Sequence, residues 1–170
     1  GVWRGGGCIL MAGYLRHHGM TGRKVIVADS FEGLPKPSHD RDEGIDLAKD
    51  RFPQLAVSER TVRDNFDADG LLDDRIVFLR GWFRDTLGNA PTDRIALLRL
   101  DGDLYESTMD GLTALYDKVP TGGIVIIDDY GALKVCRDAV HDFFDQRAEP
   151  RPAIRKIDWT GAYWVKGAPE

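Results

Sequence analysis

Ile95-Ala96-Leu97-Leu98-Arg99-Leu100-Asp101-Gly102-Asp103 is an aliphatic run that stops at two aspartates, and Ile124-Val125-Ile126-Ile127-Asp128-Asp129 repeats the pattern later in the chain. Short, nearly continuous aliphatic runs bounded by turn residues are typical of strands buried on both faces of a parallel sheet. In open α/β sheets, ligands bind beyond the carboxyl ends of such strands. The two stretches therefore predict an α/β fold with its chemistry at the aspartates.

Repulsion between these acids indicates a bound cation. Two unit charges about 4 Å apart repel by roughly 4 kcal/mol at an effective dielectric near 20. If neighbouring strands bring Asp101, Asp128 and Asp129 together, either one carboxyl group binds a proton or a divalent ion lies between them. Oxygen ligands suit Mg²⁺, Ca²⁺ or Mn²⁺. The alternative is that some of these acids only cap the following helices, which would account for one acid per strand end and not for the set.

Composition limits the class of protein. The chain has 170 residues, 42% of them hydrophobic and 30% charged, which is ordinary for a soluble globular domain. Its net charge of -5 argues against a nucleic-acid surface. No apolar run reaches the roughly 18–20 residues of a membrane span, and no signal peptide is visible. Cys8 and Cys136 lack disulfide or metal spacing and are predicted to be core thiols, so we expect a reducing cytoplasmic setting and no membrane partner.

Strands and helices are predicted to alternate along the chain. A helix follows the glycines at 5–7, and the tail contains a strand pair, Ala153–Ile157 and Ala162–Lys166, joined by a short turn. The remaining strands are predicted at 24–28, 75–80, 95–100 and 123–127, and the remaining helices at 57–69, 84–89, 104–118 and 132–147. Such alternation predicts a single domain over residues 1–170 with a doubly wound, mostly parallel sheet.

The beginning of the chain departs from this pattern. A helix that opens on a glycine loop normally follows a strand at the centre of the sheet. Only Gly1-Val2-Trp3-Arg4 precedes the glycines here. We therefore expect the first strand to be missing and the chain to be an N-terminally truncated part of a longer protein.

Three further motifs are candidates for binding a cofactor. The loop Gly1–Gly7 could present backbone N–H groups and a helix N-terminus to an anionic group, although it matches neither the dinucleotide fingerprint nor the P-loop. Asp29-Ser30 closes the next strand, where an acid commonly binds ribose hydroxyls; the alternative is an acid that opens a turn. Gly81-Trp82 follows a further strand, and its indole either stacks on an adenine or packs in the core.

Several long motifs in order resemble the macrocin O-methyltransferase family, bacterial enzymes that methylate sugar hydroxyls on macrolide and aminocoumarin antibiotics. The resemblance runs through nearly the whole chain. It is carried by Gly1-Val2-Trp3-Arg4-Gly5-Gly6, Asp29-Ser30-Phe31-Glu32-Gly33-Leu34-Pro35, Gly81-Trp82-Phe83-Arg84-Asp85-Thr86-Leu87, Leu100-Asp101-Gly102-Asp103-Leu104-Tyr105-Glu106-Ser107-Thr108 and Asp128-Asp129-Tyr130-Gly131.

The resemblance implies a fold and a reaction. The fold is the Rossmann-like class I methyltransferase fold, whose last two strands form an antiparallel pair. The methyl donor is S-adenosylmethionine, and the second cofactor is Mg²⁺. The acceptor is a small-molecule sugar or glycoside. By motif position, Asp101, Asp128 and Asp129 match the metal-binding acids, and Asp101 is also the expected general base. A homodimer is left open.

The resemblance also implies where the cofactor lies. Asp29, with Ser30 beside it, matches the position that holds the ribose. The loop with Trp3, Gly5 and Gly6 matches the part along the methionine, and Gly81 and Trp82 match the adenine side. Family members usually carry an acid shortly before Gly-Val-Trp-Arg and an N-terminal segment over the active site; neither lies within this sequence.

The expected reaction is in-line attack of a substrate hydroxyl on the sulfonium methyl group, with Mg²⁺ making the hydroxyl more acidic and Asp101 accepting its proton. One alternative is a metal-dependent nucleotide-sugar glycosyltransferase that uses Asp101 and Asp103, which leaves Asp128 and Asp129 without a role. Another alternative is a truncated remnant that binds cofactor without turnover. A phospho-acceptor receiver domain is disfavoured because its acid pair follows the first strand, not a late one.

Overall fold

The computed structural model describes residues 1–147 and 149–168, in which helices and strands alternate as the sequence predicts. The helices are α1 (Gly6–His17), α2 (Glu59–Ala68), α3 (Phe83–Thr86), α4 (Tyr105–Leu115) and α5 (Lys134–Asp145). The strands are β1 (Val25–Asp29), β2 (Ile76–Arg80), β3 (Leu97–Leu100), β4 (Ile124–Ile127), β5 (Arg155–Lys156) and β6 (Ala162–Val165). The predicted helix at 84–89 is α3 followed by a 3₁₀ turn, Leu87–Asn89.

These strands form two sheets. Strands β1 and β2 pair in parallel, and the second sheet has the order β3-β4-β6-β5. In the second sheet β3 and β4 are parallel, whereas β6 runs antiparallel to both β4 and β5. The α/β class and the antiparallel pair at the end of the chain are thus confirmed. The sequence predicted one sheet. Within the described residues, the strands of one sheet form no ladder with the strands of the other. The missing first strand stays a prediction.

The chain packs into two compact units. The first comprises Gly1–Lys36 and Leu47–Thr86, and the second comprises Pro37–Asp46 and the chain from Leu87 onward. The single domain over residues 1–170 stays a prediction, and residues 148, 169 and 170 of that range lie outside the described part of the chain.

The first unit has its core between α1, α2 and the parallel pair of strands. Val62 and Phe66, four residues apart on one face of α2, are completely buried, as is Val27 of β1. Ser58 begins α2 by accepting a hydrogen bond from the Thr61 N–H at 3.1 Å, which satisfies one of the helix's unpaired donors. Apolar residues four positions apart on one helix face bury that face against the sheet and stabilise the packing of the helix.

The second unit has its core under β3, β4 and β6. Alternate strand residues are buried, among them Leu100, Val125 and Ile127. Leu97 and Ile124, the first residues of β3 and β4, are each 38% exposed. The prediction of strands buried on both faces is therefore wrong at their first residues, because only alternate positions are fully covered.

Register places the ends of β3 and β4 together. Leu100 pairs with Ile127, and the N–H of Asp128 donates to the Leu100 carbonyl at 2.9 Å. The acids that follow both strands consequently leave the same edge of the sheet. In the described residues, none of the helices is long and apolar enough to cross a bilayer.

Candidate functional site

Three aspartates at the carboxyl ends of β3 and β4 converge. Asp101, Asp103 and Asp129 each contribute one carboxylate oxygen, and these oxygens all lie within 4.8 Å of one another. Asp103 adopts a left-handed backbone conformation, with φ of 57°. Aspartate is one of the few residues with a Cβ that visit this conformation, as single residues in turns. The predicted convergence of Asp101 with Asp129 is present, and Asp103 completes the group.

Asp128 lies outside this group and shares a cation with Asp101. One guanidinium nitrogen of Arg99, Nη2, lies 2.7 Å from Asp128 Oδ1 and 2.9 Å from Asp101 Oδ2. The guanidinium therefore offsets part of the charge of both carboxylates, although only Asp101 belongs to the converging group. The assignment of Asp128 as a metal ligand stays a prediction. Sequence reasoning gave no role to Arg99, although a single charged residue inside an aliphatic run is the signal that could have found it.

Burial and mutual repulsion control the charge of the group. Burial, followed by the charges of Asp103 and Asp101, raises the pKa of Asp129 from 3.8 to about 7. Burial and the charge of Asp101 raise the pKa of Asp103 to about 6. Burial also raises the pKa of Asp128, although Arg99 acts in the opposite direction. Near neutral pH, the group thus binds a proton readily when no cation is present.

This donor set fits a divalent cation. The Asp129 Oδ2 atom is buried and has no hydrogen-bond partner among the described residues. A buried carboxylate oxygen without a donor is costly, and a cation would satisfy it while removing the repulsion among the three acids. Carboxylate oxygens are the ligands preferred by Mg²⁺, Ca²⁺ and Mn²⁺.

Asp29, the predicted ribose ligand, connects the glycine loop to the end of β1. Its Oδ2 accepts the N–H of Val2 at 2.6 Å, and its Oδ1 accepts the N–H of Phe31 at 2.7 Å. Ser30 is buried, and its hydroxyl donates to the Gly33 carbonyl at 2.7 Å. Both side chains thus shape their own loops, which is the turn role that the sequence analysis kept as an alternative.

The three predicted glycines differ in whether a side chain would fit at their positions. Gly5 has φ of 87°, and a Cβ there would lie 2.8 Å from Val62 Cγ1. Gly81 has φ of 140°, and a Cβ there would lie 2.6 Å from Thr86 Cγ2. Packing therefore requires glycine at both positions. At Gly6, the first residue of α1, a Cβ would meet nothing within 4 Å, so the protein's own packing does not explain this glycine.

The two predicted tryptophans are placed differently. Trp3 is 52% exposed, and its Nε1 donates to the Gln54 carbonyl at 3.0 Å. Trp82 is half-buried, and its carbonyl accepts the N–H groups of Asp85 and Thr86 at 3.0 and 3.1 Å. Trp3 therefore does not belong to the core, whereas Trp82 begins the short helix α3 through its backbone.

Sequence reasoning missed Asp42. This residue is fully buried, and its carboxylate accepts the backbone N–H groups of Tyr105 and Glu106 at 2.7 and 3.0 Å. The two partners are the first residues of α4, which begins just after Asp103. No local motif marks Asp42, because its partners lie more than 60 positions away in the sequence.

A glycine loop before α1, aspartates after β3 and β4, and a last strand that runs antiparallel to its neighbours are features of the class I methyltransferase fold. A solved structure of the O-methyltransferase NovP superposes with a TM-score of 0.93 over 97% of this chain and 69% of that one, at 49% identity. A family model, Macrocin-O-methyltransferase (TylF), matches residues 1–166. The chain belongs to the macrocin O-methyltransferase family, which confirms the resemblance of its motifs.

Two curated relatives are similar along almost the whole chain. The 8-demethyl-8-(2,3-dimethoxy-alpha-L-rhamnosyl)-tetracenomycin-C 4'-O-methyltransferase of Streptomyces olivaceus is 53% identical over 96% of this chain and 63% of its own length. The demethyldecarbamoylnovobiocin O-methyltransferase of Streptomyces niveus is 51% identical over 98% of this chain and 64% of its own. The chain thus spans slightly less than two thirds of the length of these relatives. Membership in this family does not favour the glycosyltransferase alternative.

Proposed function

We propose that this protein transfers a methyl group from S-adenosylmethionine to a hydroxyl of a sugar on a natural product or related glycoside, in a reaction that depends on Mg²⁺. The convergence of Asp101, Asp103 and Asp129 carries the proposal, because it supplies a site for a hard cation in a chain of this family. The names of the two relatives, both O-methyltransferases and one acting on a rhamnosyl compound, support the acceptor class.

The acid group holds the ion and the acceptor hydroxyl. Asp101, Asp103 and Asp129 would bind Mg²⁺, and Asp128 is the further candidate that the sequence names. When bound, a divalent ion makes a hydroxyl that it coordinates more acidic. Its charge also offsets the repulsion that otherwise leads these carboxyl groups to bind a proton.

A carboxylate of the same group accepts the hydroxyl proton. We assign this role to Asp101, which follows β3 directly and therefore has a backbone fixed by the sheet. Asp103 is the second candidate, because burial raises its pKa to about 6, and a general base works best with a pKa near the operating pH. Precise placement of the hydroxyl against the methyl group supplies the remaining acceleration through proximity.

The first unit binds the methyl donor, which supplies a methyl group on a positively charged sulfur. Trp3, Gly5 and Gly6 would contact its methionine part, and Gly81 and Trp82 would contact its adenine. Asp29 with Ser30 would hold the ribose. Each carboxylate oxygen has two lone pairs, so an Asp29 oxygen that accepts a backbone N–H can also accept a ribose hydroxyl.

A methyl-transfer assay tests the proposal. The purified protein is incubated with radiolabelled S-adenosylmethionine and a panel of glycosylated natural products, with EDTA alone and with EDTA followed by excess Mg²⁺. We expect transfer that EDTA lowers more than about tenfold and that Mg²⁺ restores, because the ion binds the hydroxyl. Full activity in EDTA would overturn the metal requirement. Turnover of nucleotide sugars without methyl transfer would instead support a glycosyltransferase.

A further inference from the structure

Asp42 takes the place of the missing N-cap of α4. The residue at the N-cap position, Leu104, makes no side-chain bond to the helix. Asp42 instead accepts the N–H groups of Tyr105 and Glu106 from a distant loop, at 2.7 and 3.0 Å. Its carboxylate is 0% exposed. A buried carboxylate is tolerated when donors satisfy it, and negative charge is favourable at a helix N-terminus.

Neighbouring side chains hold the loop of Asp42 on the same helix end. The ring of His39 stacks on that of Tyr105 with centroids 4.7 Å apart. Arg41 Nη2 lies 2.9 Å from Asp142 Oδ2, and Tyr105 donates its hydroxyl to that same oxygen at 3.0 Å. Arg41 and Asp142 are 52% and 28% exposed, so their ion pair contributes little. The bonds to the completely buried Asp42 therefore hold the loop on α4 more firmly than this ion pair does.

The segment that carries two of the converging acids is short and fixed at both ends. It joins Leu100, the last residue of β3, to Tyr105, the first residue of α4. Within it, Asp103 has φ of 57°, a left-handed conformation that aspartate adopts more readily than most residues with a Cβ, but only as a single residue within a defined turn. The sheet fixes one end of this segment, and the bonds to Asp42 fix the other.

We propose that Asp42 is a positioning residue for the metal site: by holding the first turn of α4 it keeps Asp103 in the left-handed backbone conformation in which its carboxylate lies beside those of Asp101 and Asp129. This inference rests on the proposed metal-dependent function. It assigns a site role to a residue that contacts neither of those acids in the structure's hydrogen bonds. If the attachment is weakened, Asp103 relaxes and the site loses a ligand.

The test compares two variants, each of which loses a side chain that accepts hydrogen bonds from the N-terminus of a helix. Asp42→Asn replaces one carboxylate oxygen by an N–H₂ group that faces a backbone donor, and Ser58→Ala removes the cap of α2 in the first unit. Mn²⁺ is titrated into each folded variant and followed by electron paramagnetic resonance. We expect Asp42→Asn to bind Mn²⁺ at least about tenfold more weakly than the wild type, as outer groups of metal sites do when altered. Ser58→Ala should match the wild type.

Equal Mn²⁺ affinity in the wild type and in Asp42→Asn would overturn the positioning role and leave the proposed function intact. A wild type that binds no Mn²⁺ would overturn both. If Asp42→Asn does not fold, amide hydrogen exchange of the wild-type protein, measured with and without Mg²⁺, tests the inference instead. Because coupling between sites is reciprocal, Mg²⁺ should slow exchange at Tyr105 and Glu106 and leave Thr61 unchanged; unchanged exchange at Tyr105 and Glu106 would overturn the inference.

Discussion

Arg99 Nη2 lies 2.7 Å from Asp128 Oδ1, so a guanidinium of the protein neutralises one of the acids at the strand ends. The two side chains are 27% and 37% exposed, which makes this a partly buried ion pair. Burial alone lowers the pKa of Arg99, but the charges of Asp101 and Asp128 outweigh it and raise that pKa. Arg99 therefore reduces the repulsion that a bound ion would otherwise have to offset.

We predict that Arg99→Met makes the protein more dependent on a divalent ion. Loss of charge-assisted bonds to partly buried acids costs on the order of 1 kcal/mol after screening by solvent, so the melting temperature in EDTA should fall. Saturating Mg²⁺ should raise the melting temperature of Arg99→Met by more than it raises that of the wild type. Thermal unfolding with and without Mg²⁺ measures both effects.

Arg63→Met provides the matched control. Arg63 Nη2 lies 2.7 Å from Glu59 Oε1 on the surface of α2, so its removal also breaks an arginine–carboxylate pair. Its response to Mg²⁺ should equal that of the wild type. An equal response in Arg99→Met would show that Arg99 does not share the charge of the acid group.

We predict that Asp103 contributes more to metal binding than Asp128. The carboxylate of Asp103 lies with those of Asp101 and Asp129, and Asp128 lies outside this group. Asp103→Asn should weaken Mn²⁺ binding at least about tenfold, and Asp128→Asn should weaken it less. Calorimetric titration of both variants against the wild type measures the difference. The reverse order would restore the ligand set that the sequence predicts.

The strand ends could be predicted from the sequence because several independent patterns agree there. Aliphatic runs, turn residues and paired acids all place Asp101 and Asp129 at the edge of a sheet, and the register of Leu100 with Ile127 follows from pairing equivalent runs. The position of Asp103 beside Asp101 and Asp129 could not be predicted. It depends on a left-handed φ at Asp103, which leaves no pattern in the sequence, whereas the charged Arg99 inside an aliphatic run was a signal that went unused.

Polar contacts between residues far apart in the sequence could not be predicted either. Asp42 bonds to Tyr105 and Glu106 across the sequence, and periodicity reports only on neighbours along one element. Asp29 closes β1 and Gly81 follows β2, as the sequence predicts, and Asp29 also accepts the N–H groups of Val2 and Phe31. A motif thus identified these positions, whereas only the coordinates separate a residue needed by the loop from one needed by a ligand.

We predict that stability without a divalent ion increases as the pH falls from about 8 to about 5.5, because raised carboxyl pKa values mean that the folded state binds protons there and the unfolded state does not. The pKa of Asp129 is about 7 and that of Asp103 about 6, both above the ordinary 3.8. The destabilising charge is present above pH 7 and is lost as the pH falls through these values. Melting temperatures in EDTA across this range measure the effect.

Asp129→Asn is the control for this dependence. The variant has no charge to lose at that position and also relieves the repulsion on Asp103, so its melting temperature should change much less with pH. Saturating Mg²⁺ should also flatten the wild-type dependence, because the ion needs ionised carboxylates. A wild-type protein that is more stable at the higher pH in EDTA would contradict the raised pKa values.

We predict that alanine at Gly5 and alanine at Gly6 affect different properties. Gly5→Ala imposes a left-handed φ on a residue with a Cβ and brings that atom 2.8 Å from Val62 Cγ1, so the melting temperature should fall. Gly6→Ala introduces no contact within 4 Å and should leave folding intact or slightly improve it, since alanine is the better helix former.

If Gly6 allows close approach of the cofactor, Gly6→Ala should bind S-adenosylmethionine at least about tenfold more weakly, by roughly 1.4 kcal/mol. Thermal unfolding and calorimetric titration separate the two effects, and a Gly6→Ala protein with wild-type cofactor affinity would remove Gly6 from the binding site.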